Sequence, residues 1–378
     1  MKVAAISASQ VPTTTANSIQ VIKACQAISQ LGHDVHLFVP RYGRSPDNVE
    51  FTSMYGLTPQ FSIEWLPSRP AFHRYDLAFQ AIRMALRWKA DIAYGWLVQA
   101  GIFSLLAHLP VIIELHGPPE GRFGPTLFRL FQKIPGKKRI LPITHALAKQ
   151  IQDRFDFDID DPLLTRVSPN GVDLEKYMDL PDPKMARNFL GLPQGITAVY
   201  SGHLYPGRGM SMMVEFARCF PQIYFLWVGG NPSEVSKWRE HLKTESIVNI
   251  TLTGFIQNSQ LPLYQAAADI LLMPYEKIIA GSSGGNSASY ASPMKMFEYM
   301  ASKRAIISSD IPVIREVLNS TNAVLCPPED IAAWTQAIEC LVSDAGKRLT
   351  IAEQAWRDVQ QYSWRERACN ALSDFVIQ

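Results

Sequence analysis

Short apolar runs alternate with helical stripes along most of the chain, and this alternation is the feature that most limits the fold. It begins with an apolar run at 2–6, a helical stripe over 17–31 that ends at Gly32, and a second apolar run at 34–39. A strand, a helix and a strand in this order predict a βαβ unit, which builds a parallel sheet with helices packed on it. The first loop lacks the Gly-x-Gly-x-x-Gly pattern, so a tightly held NAD or FAD is not expected.

The alternation occurs as two successive series. The second series starts near Ala198, after a stretch that holds the turn dipeptide Asn170-Gly171 and several prolines. Turn residues and prolines are typical of a domain junction, which we place between about 165 and 195. The prediction is an α/β chain with two doubly wound, Rossmann-like domains facing a cleft, an N-terminal domain over 1–170 and a C-terminal domain over 171–362.

Composition excludes several classes of protein. The chain has 378 residues, is 47% hydrophobic and carries a formal charge of only +2, so it is expected to form large cores and to have no nucleic-acid partner. Its five cysteines are odd in number and form no CxxC pair, which argues against a disulfide framework and a zinc site and favours a reducing compartment. No signal peptide and no run of about 18 apolar residues is visible, so we predict a cytoplasmic protein.

A candidate anion site lies at the start of a predicted helix over 292–301. Ser292 is the predicted N-cap and Pro293 the first helical residue. The loop 281–287 before them is rich in glycine and serine. Free N–H groups at a helix N-terminus attract negative charge, and Glu298 could accept hydrogen bonds from hydroxyl groups attached to the anion. A surface loop followed by an ordinary capped helix is the alternative.

Three further segments sit at predicted strand ends. The turn 202–210 contains three glycines and Arg208, a pattern that suits close contact with a phosphate, although a solvated arginine in a βα turn is the alternative. The segment 253–255 could cradle a nucleotide base, or hold a core phenylalanine. His116 follows the apolar strand 111–115, at the sheet edge where ligands bind in such folds.

Other kinds of chemistry find little support in the sequence. There is no recognisable Ser-His-Asp spacing, nucleophile elbow or cluster of metal ligands, and no pair of carboxylates stands out as a general acid and base. The sequence therefore indicates phosphate binding more than nucleophilic hydrolysis.

Residues 123–140 are both basic and apolar. Residues 1–170 carry 18 Lys and Arg against 13 Asp and Glu, a net charge of +5, whereas 171–378 carry 18 against 21, a net charge of −3. A basic, apolar segment could contact an anionic membrane at its inner face. The alternative is a helix with one core face and one solvated basic face.

Taken together, these motifs resemble a GT-B glycosyltransferase of the large retaining family four, of the group 1 type. The resemblance covers essentially the whole chain, because its motifs occur in the family's order and spacing. The matching segments are 31–35, 114–117, 169–173, 200–202 with 207–209, 253–255 and 292–301.

The resemblance implies transfer of a sugar from a nucleotide-sugar donor to an acceptor hydroxyl, with retention at the anomeric carbon and with neither a cofactor nor a metal. The acceptor would be a glycan, a lipid-linked molecule or a small molecule, bound by N-terminal loops such as 7–17. In the matching positions, Arg208 and Lys295 would neutralise the diphosphate, Glu298 would bind the ribose and His116 would contact the sugar. The remaining donor-binding positions are Gly207, Gly254, Phe255, Ser292, Pro293, Met294 and Tyr290.

The sequence departs from the family pattern at the sugar-reading loop. The family commonly has a glutamate eight positions before the ribose glutamate, and here that position is Tyr290. The resemblance also implies that the last helix, 363–378, crosses back to the N-terminal domain. Two alternatives stay open, namely a sugar-nucleotide epimerase or hydrolase on the same fold and a nucleotide-sugar-binding protein without catalysis.

Overall fold

The computed structural model describes residues 1–42, 48–57, 59–280 and 286–375, so the glycine-rich part of the predicted loop, 281–285, lies outside the described residues. The chain divides into two compact units. The first comprises Met1–Asn170 together with the segment from Trp364 onward, and the second comprises Gly171–Ser363. Each unit is a parallel sheet covered by helices, so the predicted α/β class with two Rossmann-like domains is confirmed.

The first unit contains a six-stranded parallel sheet with the order β3-β2-β1-β4-β5-β6. Its strands are β1 (Lys2–Ile6), β2 (Asp34–Pro40), β3 (Ser62–Leu66), β4 (Ile92–Gly95), β5 (Val111–Leu115) and β6 (Lys138–Pro142). Its helices are α1 (Ala16–Gln30), α2 (Asn48–Tyr55), α3 (Tyr75–Trp88), α4 (Val98–Leu106), α5 (Gly124–Lys133) and α6 (His145–Phe155), and the last helix of the chain, α15 (Trp364–Leu372), also belongs to it.

The second unit repeats this architecture with the strand order β12-β11-β10-β7-β8-β9. Its strands are β7 (Thr197–Ser201), β8 (Tyr224–Val228), β9 (Ile250–Gly254), β10 (Ile270–Met273), β11 (Ala305–Ser309) and β12 (Val324–Cys326). Its helices are α7 (Pro183–Leu190), α8 (Met210–Cys219), α9 (Pro232–Thr244), α10 (Leu261–Ala266), α11 (Met294–Ala301), α12 (Pro312–Arg315), α13 (Ile331–Ser343) and α14 (Ala345–Val359).

Local sequence signals explain several of these boundaries. The Thr144 side chain accepts a hydrogen bond from the Leu147 N–H, which begins α6. Gly32 follows α1 with a φ of 85°, a conformation that glycine adopts without steric cost. The central strands are buried on both faces, as parallel sheets require, and so appear as continuous apolar runs.

The start of α11 differs from the prediction. Pro293, not Ser292, occupies the N-cap position, and no side chain caps the helix. The ψ angle of Pro293 is 123°, so this proline is extended and the first helical residue is Met294. The helix therefore begins one residue later than a Ser292 cap would require.

The segment 123–140 also differs from a single amphipathic helix, because α5 ends at Lys133 and β6 begins at Lys138. The Lys138 ammonium donates to the carbonyls of Phe131, Gln132 and Ile134 at the end of α5, at 3.0, 2.7 and 2.5 Å. Arg139 is fully buried and donates to carbonyls of the C-terminal segment. Lys138 and Arg139, two cations of the segment that could contact a membrane, therefore bind backbone carbonyls within the first unit.

The last helix packs within the first unit, as expected. Helix α15 lies against α1 and is held by arginines of the first unit's sheet and loops. The crossing-back helix that the fold prediction included is therefore present, with its residues described as far as 375.

Candidate active site

The glycine turn of the second unit packs against the segment that follows β10. The Gly207 carbonyl accepts a hydrogen bond from the N–H of Glu276 at 3.1 Å, and the Glu276 carboxylate accepts one from the N–H of Gly209 at 3.1 Å. Strands β7 and β10 are neighbours in the sheet, so both segments leave it at the same carboxyl edge. This edge is the usual ligand position in open α/β sheets.

Two glycines of the turn are required by close backbone contacts. A Cβ atom on Gly207 would lie 2.1 Å from the carbonyl oxygen of Ile278, and one on Gly209 would lie 2.0 Å from that of Pro274. Their φ angles are +84° and +74°, which also disfavour other residues. The turn therefore fixes the position of Arg208 between two glycines.

Arg208 and Lys295 contact the same aromatic ring. The Arg208 guanidinium lies 4.9 Å from the ring centroid of Tyr275, and the Lys295 ammonium lies 5.7 Å from it and 3.7 Å from that of Tyr200. The structure thus brings together two cations predicted from sequence segments that lie almost ninety positions apart. Of the two tyrosines that contact them, Tyr200 lies in a segment matched to the family but had no predicted role, and Tyr275 was not singled out in the sequence.

The Lys295 ammonium is buried and has no hydrogen-bond partner among the described residues. Burial, and then the charge of Arg208, hold the pKa of Lys295 well below its usual value, while Glu298 acts in the opposite direction. An unpaired buried charge is costly unless a ligand supplies the missing counter-charge. The arrangement is that of an anion site.

Glu298 lies one turn further along α11 and belongs to a second polar network. Its carboxylate accepts a hydrogen bond from the Gln265 amide at 3.4 Å, and the same amide donates to the Ser201 hydroxyl at 3.1 Å. The Gln265 carbonyl oxygen accepts one from the Tyr177 hydroxyl at 2.9 Å. Burial raises the pKa of Glu298, although Gln265 and Lys295 oppose this shift.

The other predicted donor-binding residues lie in two places. Gly254 ends β9 with a φ of +74°, and a Cβ atom on it would meet only one atom, at 4.0 Å, whereas Phe255 follows it with 55% of its surface exposed. The alternative of a core phenylalanine at this position is therefore wrong. Tyr290, Ser292 and Pro293 precede α11 and Met294 is its first residue, and of these four only Ser292 is buried.

His116 belongs to the first unit, whereas the other predicted site residues belong to the second. It follows β5, and its Nε2 lies 3.0 Å from the Glu114 carboxylate. The sequence included Glu114 in a motif but gave it no role, because its partners come from distant parts of the chain.

Within the described ranges, no cluster of three or more His, Cys, Asp or Glu side chains could hold a metal ion. In that same part of the chain, no helix is both long and apolar enough to cross a bilayer.

Two family models match the chain. A model described as Glycosyltransferase Family 4 matches residues 18–176, and one described as Glycosyl transferases group 1 matches residues 196–344. The two matches correspond to the two sheet-forming series.

Curated relatives are similar over part of their length. The D-inositol 3-phosphate glycosyltransferase of Salinispora arenicola is 22% identical over 253 residues, which are 62% of this chain and 53% of that protein. The phosphatidyl-myo-inositol mannosyltransferase of Mycolicibacterium smegmatis is 24% identical over 204 residues, 52% of this chain and 47% of that protein. The chain thus spans about half the length of these relatives.

A solved structure is similar over the whole chain. HepE from Anabaena, in complex with UDP, has a TM-score of 0.74 and 17% sequence identity, and the match covers 99% of this chain and 100% of that one. At this identity, the likeness concerns the fold.

Proposed function

We propose that this chain, which belongs to the group 1 glycosyltransferases of family four and has the GT-B fold, transfers a sugar from a nucleoside-diphosphate sugar to an acceptor hydroxyl with retention at the anomeric carbon. The observation that carries the proposal is the buried, unpaired ammonium of Lys295 beside Arg208, in the part of the chain that the structure describes. A diphosphate supplies the missing negative charge, and it would lie at the carboxyl edge of the second sheet. The acceptor would be a glycan, a lipid-linked molecule or a small molecule.

The two cations account for catalysis at the leaving group. As the bond between the anomeric carbon and the phosphate oxygen breaks, negative charge grows on the diphosphate, and Arg208 and Lys295 stabilise that charge more strongly than they stabilise the intact donor. Fixed cations of this kind perform the task that a divalent metal performs in other transferases. The proposal therefore includes activity without a metal or another cofactor.

The acceptor hydroxyl attacks the anomeric carbon from the face that the phosphate leaves. Its proton passes to the departing phosphate oxygen, so one carbon–oxygen bond forms as the other breaks and no protein nucleophile is needed. Glu298 accepts hydrogen bonds from the ribose hydroxyls, while Gly254 and Phe255 flank the base. The backbone N–H groups that follow Pro293 bind the diphosphate together with Lys295, and His116 contacts the sugar.

A panel of UDP-, GDP- and ADP-sugars, incubated with candidate acceptors and with excess chelator, tests the reaction. We expect a glycosylated product whose anomeric configuration matches that of the donor, with unchanged yield in chelator. An altered free nucleotide-sugar would indicate epimerisation, release of free sugar alone would indicate hydrolysis, and binding without turnover would indicate a nucleotide-sugar-binding protein. Any of these three outcomes would contradict the proposal.

Arg208→Ala is expected to lose about 2–4 kcal/mol of transition-state stabilisation, roughly a 30- to 1,000-fold loss of turnover, because one preorganised donor to the developing oxyanion is removed. The measurement is kcat with the donor that the panel identifies. Arg218→Ala is the matched control, since Arg218 forms partly exposed ion pairs with Glu215 and Glu245 in the same unit. Equal turnover in the two variants would contradict the diphosphate role of Arg208.

We also propose peripheral contact with an anionic membrane, at the cytoplasmic face, through the first unit. Helices α3, α4 and α5 are neighbours, and exposed apolar side chains lie on or beside them. These are Phe72, Tyr75, Phe79, Leu86, Leu106, Phe123 and Leu130. Exposed cations accompany them, at Arg83, Arg87, Arg122, Arg129, Lys133 and Lys137. Aromatic and basic residues together suit the interface of an anionic bilayer.

The double variant Arg129→Glu with Lys133→Glu is expected to reduce binding to anionic vesicles, because each cation near such a surface contributes on the order of 1 kcal/mol. Co-sedimentation with phosphatidylglycerol vesicles and with neutral vesicles measures the effect. Lys237→Glu with Lys243→Glu on α9 makes the same charge change on the second unit. Equal binding by both double variants would contradict the proposed surface.

A further inference from the structure

The Glu114 carboxylate is the centre of a buried network in the first unit. It has no exposed side-chain surface and lies near the end of strand β5, two residues before His116. One oxygen, Oε2, accepts hydrogen bonds from Gln20 Nε2 at 2.6 Å and Trp96 Nε1 at 2.9 Å, and lies 3.0 Å from His116 Nε2. The other, Oε1, accepts one from Arg367 at 2.7 Å and one from the Tyr94 hydroxyl.

This carboxylate is ionised and fixed in place. Burial by itself would raise its pKa, but the Arg367 guanidinium and the hydrogen bond with His116 hold the pKa of Glu114 far below its usual range. Arg367 is itself fixed, because it also donates to the Pro169 carbonyl at 2.8 Å. An ionised carboxylate only accepts hydrogen bonds, so the His116 nitrogen that faces it must carry a proton.

We propose that Glu114, held in place by Arg367, is a positioning residue that selects the Nε2–H tautomer of His116, and in that tautomer Nδ1 can accept a hydrogen bond from a sugar hydroxyl. The inference rests on the proposed function for the identity of the hydroxyl, but not for the tautomer. His116 keeps 25% of its side-chain surface exposed, and its Nδ1 makes no hydrogen bond within the described part of the chain. A buried carboxylate that binds one ring nitrogen sets the tautomer in the same way in serine-protease triads.

A purely structural role would need fewer contacts. Arg367 alone would anchor α15 to the first unit and balance the charge of Glu114. The network instead adds two N–H donors, from Gln20 and Trp96, to Oε2. These two donors fix the position of the carboxylate oxygen that faces His116. The Nε2 edge of the imidazole ring is consequently occupied by Glu114, and the Nδ1 edge can bind a ligand.

The tautomer is measured directly in the full-length protein labelled with ¹⁵N-histidine. Long-range proton–nitrogen correlation spectra distinguish a protonated from a bare ring nitrogen, and the signal of His116 is identified by its loss in His116→Asn. We expect a protonated Nε2 and a bare Nδ1 in the neutral ring. A protonated Nδ1 in the neutral ring, or a mixture of the two tautomers, would overturn the inference. This readout does not depend on activity, so failure of the proposed reaction and failure of the tautomer assignment are distinguishable.

Glu114→Gln is expected to give mixed tautomers of His116 and to lower kcat on the order of 10- to 100-fold, the size of effect seen when the outer hydrogen-bond partner of a metal-bound histidine is removed. UDP affinity should not change, because the proposed nucleotide contacts belong to the second unit. Asp269→Asn is the matched control, since Asp269 accepts from Arg187 at 2.9 Å in another nearly buried ion pair. A single Nε2–H tautomer in Glu114→Gln, with kcat no lower than in the control, would overturn the inference. If Glu114→Gln does not fold, the wild-type tautomer decides.

Discussion

At the scale of single residues, helix α11 carries the buried Lys295 ammonium and the half-buried Glu298 carboxylate, whose pKa values are shifted toward each other. Burial lowers the pKa of Lys295 and raises that of Glu298, so each shift favours the neutral form. Among the described residues, the Lys295 ammonium has no hydrogen-bond partner and the Glu298 carboxylate accepts only from the neutral Gln265 amide. Shifted pKa values of this kind are common at ligand-binding sites. Here a diphosphate would pair with Lys295, and ribose hydroxyls would donate hydrogen bonds to Glu298.

Binding of UDP is expected to take up a proton at Lys295. The free ammonium has a lowered pKa, and a bound diphosphate favours its charged form, so the pKa rises on binding. Between the lowered and the raised pKa the complex holds more protons than the free protein, and affinity therefore falls as pH rises through this window. Calorimetry in buffers of different ionisation enthalpy should show uptake that increases as pH rises into this window.

Lys295→Met should abolish this proton uptake. Lys303→Met is the matched control, because Lys303 is exposed, lies two residues past the end of α11 and sits over the Trp356 ring. If the observed enthalpy of UDP binding does not depend on the buffer in the wild-type protein, Lys295 does not titrate with the ligand.

At the scale of elements, the turn between β7 and α8 forms where the sequence predicted it, whereas the start of α11 does not. The glycines of this turn closely approach the backbone after β10, and their contact with a phosphate stays a prediction. The pair Ser292-Pro293 is compatible with two helix starts, one with Ser292 as N-cap and one with Pro293 as N-cap. The choice depends on the ψ angle of Pro293, which the surrounding chain sets.

Gly209→Ala is expected to destabilise the second unit more than Gly191→Ala does. Both glycines have positive φ angles, +74° and +64°, so each substitution costs about 1–2 kcal/mol in backbone conformation. A Cβ on Gly191 meets nothing within 4 Å, whereas one on Gly209 meets a carbonyl oxygen at 2.0 Å. Urea unfolding measures the difference in the free energy of unfolding, and equal losses would show that the close contact relaxes without cost.

At the scale of the whole molecule, the C-terminal segment is attached to the first unit through arginines as well as through apolar packing. Arg139 donates to the carbonyls of Ala371 and Ser373 at 2.9 and 2.7 Å, and Arg166 forms an ion pair with Asp374 at 2.6 Å. Burial and the nearby Arg166 lower the pKa of Arg139 to about 10. The segment from Trp364 onward, which returns to the first unit after the second, is therefore held by polar contacts and by packing against α1.

Arg139→Met is expected to loosen residues 364–375, because two charge-assisted hydrogen bonds worth about 1.5–3 kcal/mol each are lost. Hydrogen exchange should become faster in α15 and β6, and remain unchanged in the second unit. Arg315→Met serves as the control, since Arg315 forms an exposed pair with Asp310 that contributes little stability. Unchanged exchange over 364–375 would contradict this role of Arg139.

The sequence by itself determined the two β/α series, the glycine turn and the family resemblance, because each depends on local periodicity or on motifs that are short in sequence. The tertiary structure alone decided which charges are paired. Lys138 and Arg139, which suggested a membrane surface, bind carbonyls inside the first unit, whereas Lys295 is left without a partner among the residues described. Glu114 accepts a hydrogen bond from Arg367, which lies 253 positions away in the sequence. Local patterns set where strands and helices form, but the partner of a buried charge depends on contacts between segments that only the fold brings together.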